Sequence, residues 1–419
     1  MEYKEYELGE LIEYRNEKLL IENVSLENYI STENLLPNRN GKQNAEKLPN
    51  TKSVKKYYEN DILISNIRPY FKKIWQAEIP GGASNDVLIL NSCSNNTTND
   101  YLYYYLSQDK FFDYMTQTAK GTKMPRGDKK AILGYEIKVP NIKHIQNYIV
   151  NLGKNIDKKI ETNKKIIANL EELSQTIFKH WFVDFEFPDE NGNPYKSSGG
   201  EMVDSELGMI PKGWEIITIN DFANNNVITG KTPSTKIKEN YSETGIPFLT
   251  IPDMHNDIFA LNTERYISEL GIEKLIKKVL PKNSLSISCI ATPGLVCIIA
   301  NDTLTNQQIN SFTPNKNALY YLYFKLKSMK DYIRDLGSGG SATLNLNKTQ
   351  FSKIKLVKPI NEILYKYDKL VSPNFKMILN IQKEIQQLTQ LRDTLLPKLM
   401  SGEIEIPDDI EVMEDELSI

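Results

Sequence analysis

The chain has only three cysteines and three histidines in 419 residues. Cys93, Cys289 and Cys297 are too few for a disulfide framework, so a reducing, cytoplasmic setting is expected. His144, His180 and His255 lie far apart and without a cysteine pair, which argues against a zinc site. No stretch of 18 apolar residues occurs, so no transmembrane helix is expected. The opening MEYKEYELGE is acidic and polar, unlike a secretory signal.

What is present is an ordinary globular composition: 40% hydrophobic, 10% aromatic and 25% charged residues. That excludes full disorder, and the length suggests two or three domains. Net charge is −3, which by itself speaks against a nucleic-acid partner. Its distribution changes that reading. Residues 403–419 hold eight acids and no base, and residues 184–206 hold seven acids and one base, Lys196. Without the tail the chain has 51 bases against 46 acids, and without the acidic middle as well the balance is +11. A mildly basic body with acidic patches set apart is compatible with DNA binding, as it is with a near-neutral soluble protein.

The chain reads as two copies of one plan, offset by about 219 residues. Asn60–Ile67 and Asn283–Ile290 both alternate apolar and polar residues after a turn signal, as strands do. The tyrosine-rich runs 101–106 and 320–324 follow; they fit an amphipathic helix in the core better than a stacking surface for single-stranded nucleic acid. A polar, glycine-containing loop comes next in each copy, 119–130 and 337–349. Each leads to a short strand ending at Pro140 or Pro359. Both copies then end in a long helical pattern. In the first, Ile149, Leu152, Ile156, Ile160, Ile167, Leu170, Leu173 and Ile177 recur at three- or four-residue steps. In the second, Tyr367, Leu370, Ile378, Ile385, Leu388, Leu391, Leu395 and Leu399 do so, with Pro373 as an interruption. Such spacing suits an antiparallel coiled-coil seam, with an ordinary helical hairpin as the alternative. Between the copies, Phe182–Phe187 reads as a short extended segment and 189–200 as a turn-rich loop. The expected plan is therefore two heads and two long antiparallel helices in a duplicated order.

Catalytic motifs are missing. Gly230-Lys231-Thr232 resembles the end of a phosphate-binding loop, but Asn225 stands where its first glycine belongs and Pro233 follows. Asn193-Pro194-Tyr195 lacks the second proline of an amino-methyltransferase loop, and no glycine-rich strand–turn–helix for a methyl donor accompanies it. No G-x-S-x-G elbow occurs.

Binding chemistry is present in the loops. Residues 119–130 carry Lys120, Lys123, Arg126, Lys129 and Lys130 against one acid, Asp128. Cations hold the phosphate backbone, and Arg or Lys can read guanine; a solvated basic loop is the plain alternative. Residues 337–349 offer Ser338, Ser341, Thr343, Asn345, Asn347 and Lys348, small polar groups among which Asn suits adenine. If the loops are equivalent, the two heads read different sequences. Lys231, Thr232, Gln307 and Gln308 lie at strand ends, and Arg68 and Thr122 complete the candidate set.

Two segments carry a family resemblance. Residues 180–215, HWFVDFEFPDENGNPYKSSGGEMVDSELGMIPKGWE, and residues 390–406, QLRDTLLPKLMSGEIEI, resemble the central and C-terminal conserved regions of the specificity subunits of type I restriction-modification systems. The head–helix–head–helix order matches as well. Ile228–Ser234 resembles the G-x-T-P segment near the start of a target recognition domain, which Leu8–Leu19 lacks.

The resemblance implies an α/β (α+β) fold with pseudo-twofold symmetry, in which target recognition domains with twisted sheets lie at 1–142 and 207–360 and spacer helices at 143–183 and 361–402. A linker at 184–206 and an acidic tail at 403–419 complete the expected plan. Each head would read one half of a bipartite site on double-stranded DNA, and the helices would fix the gap. Two modification (methyltransferase) subunits would dock on the chain, with restriction subunits joining them. The chain would be non-catalytic and hold no cofactor, with S-adenosylmethionine, ATP and Mg on the partners. Two other classes stay open on the residues alone: a scaffold whose heads bind protein or glycan, and an enzyme with an unrecognised site.

Overall fold

The computed structural model describes residues 2–255, 257–338 and 345–407. The chain forms two compact units, one from Met1–Ile160 with Gln387–Ile419, the other from Glu161–Gln386.

In the first unit, strand Ile62–Ser65 lies between Val87–Ser92 and Ile74–Gln76, and Ile12–Tyr14 flanks Val87–Ser92. All these pairings are antiparallel. Alternation along Ile62–Ser65 sends Ile62 and Ile64 to one core cluster and Leu63 to another. The first cluster is closed by helices Asn99–Leu106 and Asp109–Gln117, through Tyr101, Leu102, Phe111, Phe112 and Met115. A second sheet runs Lys18–Leu20, Ser53–Tyr57, Gly81–Ala83, Tyr29–Ile30, and Tyr3–Glu7 pairs with Glu136–Pro140.

The second unit repeats this order. Strand Leu285–Ser288 lies between Ile309–Phe312 and Val296–Ile299, and Ile228–Thr229 flanks Ile309–Phe312. Phe259–Ala260 adds a fifth strand in parallel. Glu215–Thr218 pairs with Lys355–Lys358 as Tyr3–Glu7 does with Glu136–Pro140. Both core strands follow an asparagine in the left-handed region, Asn60 at φ 67° and Asn283 at φ 68°, a conformation asparagine tolerates. The tyrosine runs lie on helices Asn99–Leu106 and Leu319–Ser328, where Tyr101, Tyr104, Tyr321 and Tyr323 are buried.

Two helices, Lys143–Phe182 and Asn361–Ser401, contribute to both units. Within the first unit their segments meet where the Arg392 Nη1 donates to Asp157 at 2.6 Å. Within the second, Asn163 donates to Glu384 at 3.0 Å, and Tyr367 and Asn374 both donate to Ser174, so those segments run antiparallel. No helix among the described residues is long and apolar enough to cross a membrane.

Four local expectations change. Pro373 does not interrupt its helix. It is exposed, and so is Lys369, whose carbonyl loses the missing N–H donor on the open side of the helix, where water can replace it. Phe182–Phe187 is not extended: the amides of Val183 and Asp184 return to the Lys179 carbonyl, and Phe185 takes φ 61° to end the helix. Leu173, Leu370 and Leu391 are exposed rather than buried in a seam. In the second unit the buried stripe is Tyr367, Val371, Phe375, Ile378 and Gln382, and Leu370 falls roughly 100° around the helix from its centre. The loops at 119–130 and 337–349 are shorter than expected, since helices Lys129–Leu133, Lys330–Gly337 and Lys348–Ser352 enter them. Ser341 and Thr343 lie outside the described residues, as do residues 408–419 of the acidic tail.

Candidate nucleic-acid interface

The same backbone frame is built at the end of each core strand. In the first unit, Ile67 bridges Arg126 just past Ile62–Ser65. The Asn66 amide donates to the Asp86 carbonyl at 2.8 Å, and the Gly127 amide to the Asn66 carbonyl at 3.0 Å. In the second, Ile290 bridges Asn345. The Cys289 amide donates to the Gln308 carbonyl, and the Leu346 amide to the Cys289 carbonyl, both at 2.9 Å. The residue after each bridge is left-handed, Arg68 at φ 51° and Ala291 at φ 63°. A helix N-cap closes each frame. Asp128 accepts from the Lys130 amide and Asn347 from the Gln350 amide, each at 3.0 Å.

The side chains on these frames differ. In the first unit, residues 120–126 form a small reversed loop in which the Lys120 and Arg126 backbones pair in both directions. The Lys120 Nζ lies 2.6 Å from Asp128, and the Arg126 Nη2 lies 3.3 Å from Asp86. The hydrogen bonds from Lys120 and the Lys130 amide hold the Asp128 carboxyl below the usual carboxylate range. Thr122 and Lys123 are exposed at the loop tip, and Arg68 is exposed beside it, its amide donating to Pro125. Lys129 sits over the Tyr14 ring, 6.0 Å from its centre. Arg68, Lys120, Arg126 and Lys129 are therefore gathered around one strand end.

In the second unit, Asn345 is exposed at the bridge, and its amide donates to the Gly337 carbonyl beside Ser338. Ser338 and Asn347 spend their side chains locally. The Ser338 hydroxyl donates to the Asp335 carbonyl at 2.6 Å, and Asn347 caps its helix. Lys348, the first helical residue, is exposed.

Lys231, Thr232, Gln307 and Gln308 adjoin this frame through one turn. The Lys231 amide donates to the Thr305 carbonyl, the Thr232 hydroxyl to Gln307 at 2.6 Å, and Asn306 to the Gln308 side chain at 3.1 Å. Gly230 makes that approach possible: a Cβ there would lie 2.2 Å from the Asn306 carbonyl oxygen and from the Thr305 hydroxyl. The glycine of the G-x-T-P segment thus has a packing reason. Among the described residues the buried Asn66 Oδ1 and Thr305 Oγ1 find no hydrogen-bond partner, one at each frame.

Sequence reasoning missed Asp86 and Ala291, whereas Asn306 stood beside Gln307 and Gln308 among the polar groups expected at strand ends. An offset of 222–223 residues at the strand ends, in place of 219, aligns Asp86 with Gln308 and Arg68 with Ala291. No group of three His, Cys, Asp or Glu residues among those described could hold a metal ion.

Two like frames with unlike polar side chains define a duplicated recognition protein. The chain belongs to the type I restriction modification DNA specificity family, whose domain model matches residues 1–172 and again 211–392. It is therefore a recognition subunit and not the enzyme of such a system. It is 31% identical to the type I restriction enzyme HindI specificity subunit of Haemophilus influenzae, over 96% of this chain and 100% of that one. It is 26% identical to the MjaIX specificity subunit of Methanocaldococcus jannaschii, over 74% and 70%. The crystal structure of a type I restriction-modification S subunit from M. genitalium shares the fold, with a TM-score of 0.55 at 17% identity over 97% of each chain.

Proposed function

We propose that each strand-end frame reads one half of a bipartite site on double-stranded DNA. The observation that carries this reading is the pairing of one backbone frame with two side-chain sets, Arg68, Lys120 and Arg126 against Gln308 and Asn345. Lys120, Thr122, Lys123 and Lys129 serve the phosphates and loop of one half-site. Lys231, Thr232, Gln307, Ser338, Ser341, Asn347 and Lys348 border the other. Residues 1–142 and 207–360 act as target recognition domains, 184–206 as the linker and 403–419 as an acidic tail. The helices at 143–183 and 361–402 set the gap and dock two modification subunits, and the exposed Leu370 and Leu391 belong to the docking faces. Those subunits bring S-adenosylmethionine and flip the target adenine. Restriction subunits bring ATP and Mg, and the assembly works in the cytoplasm.

The test is co-expression with a type I modification subunit that forms a complex with this chain, in a methylation-free host, with modified adenines read by single-molecule sequencing. One motif of two fixed halves around an unspecified gap is the expected result. A complex that forms yet leaves the genome unmodified would move the reading to a scaffold.

A further inference from the structure

We infer that the bridged residue is the base reader in both units, and that the two read opposite kinds of base pair. Arg126 with Asp86 takes a guanine–cytosine pair, and Asn345 with Gln308 takes an adenine–thymine pair. This rests on the proposed DNA-reading function and goes further, to the residues and bases.

The equivalence is read from the backbone: Arg126 and Asn345 lie at the 219-residue offset, but Asp86 and Gln308 lie 222 apart. Arg126 and Asn345 each bridge the second residue beyond the core strand. Asp86 and Gln308 each give their carbonyl to the amide of the first residue beyond it. In each unit the amide of that first residue, Asn66 or Cys289, pairs with Asp86 or Gln308, and its carbonyl pairs with the residue that follows Arg126 or Asn345. Whatever enters one frame meets Arg126 and Asp86 where the other presents Asn345 and Gln308.

The chemistry of the two pairs is complementary to different base edges. In the major groove a guanine shows two acceptors, N7 and O6, and its cytosine shows the N4 donor beside them. A guanidinium fork supplies the two donors and a carboxylate accepts from N4. Arg126 and Asp86 already stand 3.3 Å apart, with 56% and 39% of their side chains exposed. An ion pair that open contributes little by itself, so little is lost when it turns toward a base. An adenine–thymine pair would set the N6 donor against the guanidinium and the O4 acceptor against the carboxylate.

The second frame reverses this. An Asn amide both donates to adenine N7 and accepts from N6. A Gln amide in the place of Asp86 has a donor for thymine O4, which a carboxylate lacks. Among the neighbours, Asn347 and Ser338 hold helix ends. Gln307 and Gln308 each accept one hydrogen bond on the amide oxygen and keep the Nε2 donor, and Gln308 is the one whose carbonyl closes the frame.

The experiment is the methylation map of the assembled complex, repeated with Arg126→Ala, Arg126→Lys and Asn345→Ala. The wild-type map must first show a bipartite motif; a map without one overturns the functional reading and this inference with it. Given the motif, Arg126→Ala should relax one guanine–cytosine position in one half, with discrimination falling roughly tenfold to a hundredfold. Arg126→Lys keeps the charge and loses the fork, so it should relax the same position. It is the variant to score if Arg126→Ala abolishes methylation. Asn345→Ala should relax one adenine–thymine position in the other half. The untouched half is the internal control for folding and assembly. Motifs unchanged in all three variants, relaxation in the wrong half, or relaxation of the opposite pair type would each overturn the inference while leaving the bipartite reader intact.

Discussion

At the scale of single residues, Lys55 shows how the core prepares the surface. Its side chain is buried, and the ammonium donates to the carbonyls of Asn85 and Val87 at 3.0 and 2.8 Å. These flank Asp86, so Lys55 pins the turn that presents that carboxylate. Burial, then the charges of Lys129 and Lys18, push its pKa down to about 8, with Asp86 opposing. In the unfolded chain a lysine keeps its proton to roughly pH 10.4. Between those values the unfolded chain binds more protons, so the contribution of Lys55 to stability rises with pH. The melting temperature of the wild type, relative to Lys55→Met, should therefore climb from pH 8 to pH 10 and stay level below pH 7. Parallel curves across that window would refute the shifted lysine. The basic character of residues 119–130 was legible in the sequence, because charge is a local property. Asp86 was not, because only the strand pairing brings it beside Arg126.

At the scale of elements, the helix segments of the first unit are joined by a charged cluster. Arg392 donates to Asp157 at 2.6 Å and to Asp393 at 2.9 Å, and the Tyr104 hydroxyl donates to Asp157 at 2.8 Å. The Arg392 side chain is 17% exposed and Asp157 is 31% exposed, so the pair is only partly screened by water. Removing one partner of such a pair leaves the other charge poorly solvated. Arg392→Ala should lower the stability of this unit by about 2 kcal/mol, below the fully buried case. Tyr104→Phe, which removes one hydrogen bond, should lower it by about 1 kcal/mol. Calorimetry would check both, and an Arg392→Ala protein that melts like the wild type would show that the cluster holds nothing together. The helices themselves were legible from apolar residues at three- or four-residue steps. Which leucines face inward was not. Leu370 and Leu391 fit the period, but each unit selects its own buried stripe by what packs above it. Pro373 misled for a related reason: an exposed carbonyl can take a water in place of the lost amide.

At the scale of the molecule, the duplicated order was visible in the sequence, and so were the unlike loops. That the two loops close one common frame was not visible, because the offset falls from 223 at Ile67 and Ile290 through 222 at Asp86 and Gln308 to 219 at Arg126 and Asn345. The proposed ruler can be tested by length. Seven residues added after Ile160 and seven after Gln386, in helical register, lengthen each helix by about 10.5 Å. At 3.4 Å per base step, the gap between half-sites should widen by about three base pairs. Each half should keep its sequence in the methylation map. An unchanged gap would mean that the helices do not measure the distance.

The first unit takes its core from both ends of the chain. Leu396, Leu399, Met400 and Ile406 pack with Leu8, Tyr101 and Ile145, whereas the second unit is one continuous stretch, Glu161–Gln386. On the ribosome, therefore, the half that emerges later can close before the half that emerges first. The earlier one must wait, its apolar floor open to water, until Leu396, Leu399, Met400 and Ile406 have been made. A frameshift or stop codon between Gln386 and Leu396 would spare the later-made unit and ruin the one made at the start.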